Sequence, residues 1–294
     1  MTAPRHLVVV SPPGSGTVLL HQITTALGHT SRGTMGGHAH HARRAAPGEV
    51  YPLLETAYGR PAALAFLTAH HREQDTGPLQ AAYTAAVDTL WRVWWQRLGQ
   101  AVTAHTDLDP AVESRLARLP NAEVLRLLPG RDAWYVTDLR LDRADAGLLR
   151  HWAATGEPLI ILHRRHPDDR IAAHIRHLCR PDGQVGTMPE NLIHRDVLTS
   201  LPTDRARWDY ARADPAFLGA TGPSLWLSHH PGVLTVTHEE LAGPLYGGTP
   251  HARAAALARL TTALGHPADR AGTLPDPVPG LPDLHIGLSP AYVG

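Results

Sequence analysis

No lysine occurs anywhere in the 294 residues, so all 27 basic side chains are arginines. That absence excludes every reaction needing a lysine amine as nucleophile, as Schiff-base partner or as the cation of a nucleotide-triphosphate loop. Abundant Ala, Arg, Pro and Gly accompany it, a pattern that a GC-rich coding bias produces without functional cause. Cysteine is nearly absent too: Cys179 stands alone, which rules out an intrachain disulfide and a cysteine-cluster metal site and fits a reducing compartment. Excess charge is missing, because 27 acidic residues cancel the 27 arginines; net charge therefore points to neither nucleic acid nor an anionic membrane as partner. Long apolar runs are lacking. The N-terminal stretch MTAPRHLVVVSPPG is too short in apolar residues for a signal peptide, and no segment approaches the roughly 18 apolar residues of a membrane span. A cytoplasmic protein is expected.

What is present suffices for a full core: 294 residues with 43% hydrophobic content lead to one domain spanning 1–294. HLVVV (6–10) reads as a buried parallel strand that breaks at SPPGSGT (11–17) and continues into a helix, VLLHQITTALG (18–28), closed by Gly28. Residues 29–77 begin with a Gly-, His- and Arg-rich stretch without apolar period and are expected to be loop or lid. A long amphipathic helix follows over 78–103, its tryptophans serving as core. Further strands are expected at 133–139, 158–165 and 233–238, with helices at 142–154 (Asp142 as N-cap), 166–179 and 252–265. Residues 181–225 read as a second loop or lid region and 270–294 as an irregular tail. Strands alternating with helices predict an α/β fold, a three-layer α/β/α arrangement about a central parallel sheet with a phosphate-loop-like βα turn.

The chemistry concentrates first at PPGSGT (12–17). A Gly-rich turn from strand to helix brings backbone N–H groups and a positive helix end to one place, an anion site, though the same turn also serves as a plain βα connection. The HAHH run (38–41) brings His38, His40 and His41 together, but loop spacing without a carboxylate does not make a metal centre, and no metal is expected.

Three segments in order resemble the sulfotransferase superfamily, whose donor is 3′-phosphoadenosine-5′-phosphosulfate. PGSGTVLL (13–20) is similar to that family's Pro-Lys-Ser-Gly-Thr-Thr-Trp-Leu loop, LHRRHPDDRIAAHIR (162–176) to its Leu-Leu-Arg-Asp-Pro-Arg-Asp-Arg segment, and VLTVTHEELAGP (233–244) to its Val-Leu-Val-Val-Arg-Tyr-Glu-Asp-Leu strand and turn. The resemblance implies that Pro13, Gly14, Ser15, Gly16, Thr17 and Val18 cradle the 5′-phosphosulfate. It implies that Arg165 meets the 3′-phosphate with His174 nearby; the alternative for Arg165 is an ion pair with Asp168 or Asp169. It also implies a base at Asp138, where YVTDLRL (135–141) carries a carboxylate in place of the family's histidine; Asp138 reads equally as a helix cap.

The departures are specific. The family's loop lysine is Gly14 here, its 3′-phosphate serine is Ala173, and its basic C-terminal stretch has no counterpart in 273–287. Arg43, Arg44, His38, His40 and His41 are candidates to supply the missing charge or base. The function implied is sulfuryl transfer to a hydroxyl or amine of a small molecule, in specialised metabolism. Two alternatives stand beside it: an enzyme of the same fold turned to lyase, cyclase, isomerase or hydrolase chemistry, and a non-catalytic small-molecule-binding protein. Homo-oligomerisation is left open.

Overall fold

Five short runs rich in apolar and β-branched residues, separated by helices, set the architecture. The computed structural model describes residues 6–35, 47–73, 77–102, 109–182, 185, 189–221 and 224–277. In chain order the elements are β1 (His6–Val10), α1 (Thr17–Ala26), β2 (Thr30–Gly33), α2 (Pro47–Tyr58), α3 (Arg60–Glu73), α4 (Gly77–Arg97), α5 (Pro110–Ala117), α6 (Asn121–Leu127), β3 (Asp132–Val136), α7 (Ala146–Thr155), β4 (Leu159–Arg164), α8 (Pro167–Leu178), α9 (Pro189–Ser200), α10 (Asp204–Ala213), α11 (Pro215–Thr221), α12 (Leu225–His229), β5 (Val233–Thr237), α13 (His238–Ala242) and α14 (Pro250–Ala263). All five strands are parallel, in the order β2-β3-β1-β4-β5, and with the helices they form a three-layer α/β/α fold. Among the described residues no helix is long and apolar enough to cross a membrane.

Contacts divide the chain into two compact units. The first, Met1–Met35 with Arg131–Asp138 and Leu159–Gly294, holds the sheet. Its strands read as unbroken apolar runs because both sheet faces are covered: all five residues of β1 and of β3 are buried. Leu7, Val9, Ala133, Tyr135, Ile161 and Val236 form one face, and α1, α13 and α14 pack on it through Leu19, Leu20, Ile23, Leu241, Leu257 and Leu260. A second cluster joins Ile171, Ile175 and Leu178 of α8 to Leu198, Trp208 and Phe217 of α9 to α11. In the second unit, Gly36–Gly130 with Leu139–Pro158, the cluster of Val50, Leu54, Ala63, Leu79 and Ala82 ties α2, α3 and α4 together. Trp91, Trp94 and Trp95 are buried, as core tryptophans should be.

The connections define a topological switch point. The chain leaves β1 toward the β3–β2 side and leaves β4 toward β5, so the crossovers diverge between these adjacent strands. Open α/β sheets hold ligands at such a point, outside the carboxyl ends of the strands, and residues 11–16 and 165–166 follow the carboxyl ends of β1 and β4.

Several expected boundaries are corrected. The 29–77 region is largely ordered: Thr30–Gly33 is an edge strand, and α2 and α3 fill 47–73, because Val50, Leu53, Leu54 and Ala57 recur at helical spacing behind the Gly-rich stretch. The 181–225 region holds α9, α10 and α11, begun at Pro189, at a Thr203 cap and at Pro215. Asp142 does not cap α7. Its carboxylate takes Arg140 at 2.8 Å, and Asp145 accepts from the Leu148 N–H instead. The third strand ends at Val136, leaving Asp138 two residues past it. In the tail, residues 268–273 make a 3₁₀ turn, and 278–294 lie outside the described residues.

Candidate anion site at the end of β1

Pro12 and Pro13 cannot continue the ladder, since neither has an N–H, and the chain turns at once: the Ser15 N–H donates to the Pro12 carbonyl at 3.1 Å. Gly14 and Gly16 then take φ of +78° and +81°, a left-handed conformation open to glycine. Gly16 is the N-cap of α1 and lacks a side chain to satisfy the first turn, so the N–H groups of Gly16, Thr17 and Val18 have no partner among the described residues. Three unpaired donors at a helix N-terminus are the arrangement that suits an anion. Ser15 is fully buried, and its hydroxyl also lacks a hydrogen-bond partner.

Both glycines are fixed by their surroundings as well as by φ. A Cβ on Gly14 would lie 2.3 Å from the Arg170 carbonyl oxygen, and one on Gly16 would lie 2.3 Å from Nδ1 of His238. Arg165, buried, donates from Nη1 to the Gly14 carbonyl at 3.1 Å. This hydrogen bond ties Arg165 to the loop. Asp168, one of the two carboxylates offered as its alternative partner, lies 3.9 Å from Arg212.

Behind the loop lies a buried polar group that sequence reasoning missed. The Ser11 hydroxyl sits 2.7 Å from Oγ1 of Thr17 and 3.1 Å from Nδ1 of His163, while the Ser11 N–H extends the ladder to the Val136 carbonyl at 2.9 Å. Nε2 of His163 and both ring nitrogens of His238 are buried without hydrogen-bond partners. Burial, and next the Arg165 guanidinium, push His163 down to about 3. The same two causes, with His163 third, push His238 down to about 2, so both rings are neutral at ordinary pH. Histidines are frequent in this chain; the one signal for these two is their place in β-branched, strand-like runs, His163 within β4 and His238 directly after β5.

His174, on α8, is buried among His177 and Phe217 and pushed down to about 3, chiefly by burial. Its backbone N–H nitrogen lies against Gly14, 3.2 Å from where a Cβ would be, so α8 abuts the loop. Asp138 is held by Ser224: Oδ1 accepts from the Ser224 N–H at 2.8 Å and Oδ2 from the Ser224 hydroxyl at 2.9 Å, at the N-terminus of α12. His38, His40, His41, Arg43 and Arg44 lie outside the described residues. Among the described residues no three His, Cys, Asp or Glu side chains gather as metal ligands. Compared with protein-family models, with curated proteins and with solved structures, the chain finds no match in any of the three.

Proposed function

We propose that this protein is a sulfotransferase-like enzyme that binds a phosphosulfate-bearing nucleotide at the end of β1 and transfers its sulfuryl group to a hydroxyl or amine of a small molecule. One observation carries the reading: the unpaired N–H groups of Gly16, Thr17 and Val18 converge at the carboxyl edge of a parallel sheet, at its topological switch point, with Arg165 fixed on the same loop. The residues fit the phosphosulfate end of 3′-phosphoadenosine-5′-phosphosulfate, which would be held by residues 14–18 and by the orphaned Ser15 hydroxyl. When bound, that donor supplies an activated sulfuryl group. The residues fit its 3′-phosphate end less well, because Ala173 offers no hydroxyl and Arg165 is turned to the Gly14 carbonyl.

This chain's own groups do the rest. Backbone donors orient the anion, Thr17 adds its hydroxyl at the rim, and the neutral imidazoles behind the loop keep it dry without adding charge. A base for the acceptor comes from Asp138 or from His38, His40 or His41. A second reading has its own support: Gly14 has no room for any side chain, so the loop is built for a chemistry without a lysine at that point. In that reading the fold serves a lyase, cyclase, isomerase or hydrolase reaction on an anionic substrate.

Titration calorimetry with adenosine 3′,5′-bisphosphate separates the two. Binding, with a rise in Tm that grows with ligand concentration, supports the donor reading; no heat and no shift at millimolar ligand transfers the site to the second.

A further inference from the structure

A chain of side-chain hydrogen bonds runs from the first turn of α1 into the interior. Thr17, the first residue of α1, is partly exposed; its Oγ1 lies 2.7 Å from the Ser11 hydroxyl, which in turn lies 3.1 Å from Nδ1 of His163. His163 is completely buried in β4, and its Nε2 has no hydrogen-bond partner among the described residues. Two more polar groups at the same turn are fully buried and unpartnered. One is the Ser15 hydroxyl; the other is His238, whose Nδ1 is directed at Gly16, 2.3 Å from the place of a Cβ. Buried polar groups are normally paired, so orphans gathered at an uncapped helix N-terminus point to a polar ligand there.

Counting protons fixes how the chain must be directed when such a ligand is bound. A hydroxyl has one proton to give, and burial keeps the His163 ring neutral at ordinary pH, with a single N–H. A Thr17 hydroxyl that donates to an oxyanion has to accept from Ser11. That uses the only Ser11 proton, so Ser11 has to accept from His163, and the ring proton sits on Nδ1. Nε2 then carries only a lone pair, and no buried N–H goes without an acceptor. The opposite tautomer would strand an N–H at Nε2 and draw the Ser11 proton inward, leaving Thr17 without its donor.

We propose that His163 is a positioning residue that acts through Ser11 to turn the Thr17 hydroxyl outward as a donor to an oxyanion of the phosphate or sulfate-ester class held at the N-terminus of α1. This role rests on the anion-site reading above but not on the identity of the nucleotide. His163 touches no ligand itself; its influence passes along two hydrogen bonds.

The test is a double-mutant cycle on the full chain, with inorganic pyrophosphate as probe in titration calorimetry. Wild type binds pyrophosphate, and Thr17→Val binds it about 10- to 100-fold more weakly, the effect of one hydrogen bond to a charged group. His163→Leu weakens binding about 5- to 10-fold when Thr17 is present and by less than about 2-fold in the Thr17→Val background, because the two act as one unit. His163→Asn, whose amide N–H replaces that of Nδ1, regains most of the loss. A loss of the same size in both backgrounds, or one that a folded His163→Asn does not recover, would make His163 structural and overturn the proposal. Wild type that does not bind pyrophosphate, or Thr17→Val that binds it as wild type does, would overturn it too. Should His163→Leu not fold, Ser11→Ala breaks the chain at its middle and decides: the same 5- to 10-fold loss, confined to the Thr17 background, sustains the role, and unchanged affinity overturns it. If wild type binds pyrophosphate but not adenosine 3′,5′-bisphosphate, the donor reading falls alone.

Discussion

Two glycines separated by fourteen residues illustrate how much a single position can carry. Gly14 and Gly28 share a left-handed φ, +78° and +83°, yet a Cβ on Gly28 meets nothing within 4 Å, whereas one on Gly14 meets the Arg170 carbonyl. Gly28→Ala should cost about 1–2 kcal/mol, the conformational penalty alone. Gly14→Ala adds overpacking against backbone and should cost about 2–5 kcal/mol in urea unfolding. Equal losses would place the Arg170 carbonyl elsewhere. Asp138 offers a second comparison at this scale. Asn in its place keeps the shape but has one acceptor oxygen, where Ser224 now uses two. Asp138→Asn should therefore lose about 1–2 kcal/mol of stability and keep ligand affinity, as a lost cap does. A 100-fold or larger fall in turnover at unchanged stability would make Asp138 the base. Neither distinction was legible in the sequence, where Gly14 is one glycine among 26 and Asp138 one carboxylate among 27.

Secondary-structure elements were legible where apolar content alone decides them. β1, β3, β4 and β5 all appeared as apolar runs, and α4, α8 and α14 as amphipathic or well-capped segments, with ends shifted by a few residues. β2 escaped because TSRG carries no strand signature. Its place is secured by Arg32, buried, whose Nε meets Oδ1 of Asp132 at 3.1 Å on the neighbouring strand. A partner 100 residues away in sequence leaves no local trace. Arg32→Met should cost about 3–5 kcal/mol, because it strands the Asp132 carboxylate in the interior. Replacing both, as Arg32→Met with Asp132→Leu, should recover much of that loss, and a double variant as unstable as the single would assign the cost to packing instead. The same blindness hid the site's interior: Ser11, His163 and Thr17 are joined by hydrogen bonds across 152 positions, and only the folded chain brings them together.

At the scale of the molecule, the buried histidines make stability depend on acidity. His163, His174 and His238 all have folded values far below the 6.5 of an exposed imidazole, to which each returns on unfolding. A group depressed in the fold binds its proton in the unfolded chain first. Their contribution is therefore complete above about pH 6.5 and is lost as the pH falls toward 3. Each fully engaged histidine steepens the loss by about 1.4 kcal/mol per pH unit, so the three together give about 4 kcal/mol per unit across the acid limb. Urea midpoints between pH 7 and 4.5 measure this, in a window where most carboxylates remain ionised. His174→Leu should flatten the slope by about a third, and an unchanged slope would show that His174 is not buried neutral.

The strand order also sets a schedule for synthesis. β1 is the middle strand of the sheet, paired through Val8 with Trp134 on one side and Ile160 on the other. A ribosome that has just released Val10 has more than 120 residues to make before the first of these partners exists. At 5–20 residues per second, that is a wait of roughly 6–24 s. Throughout it an uninterrupted Leu-Val-Val-Val edge has no sheet to enter, and such edges recruit one another. The helices from Pro47 to Leu127 emerge in the interval. Nascent chains arrested at residue 125 should accordingly depend on a holding chaperone to stay dispersed, and chains arrested once β4 has cleared the exit tunnel should not.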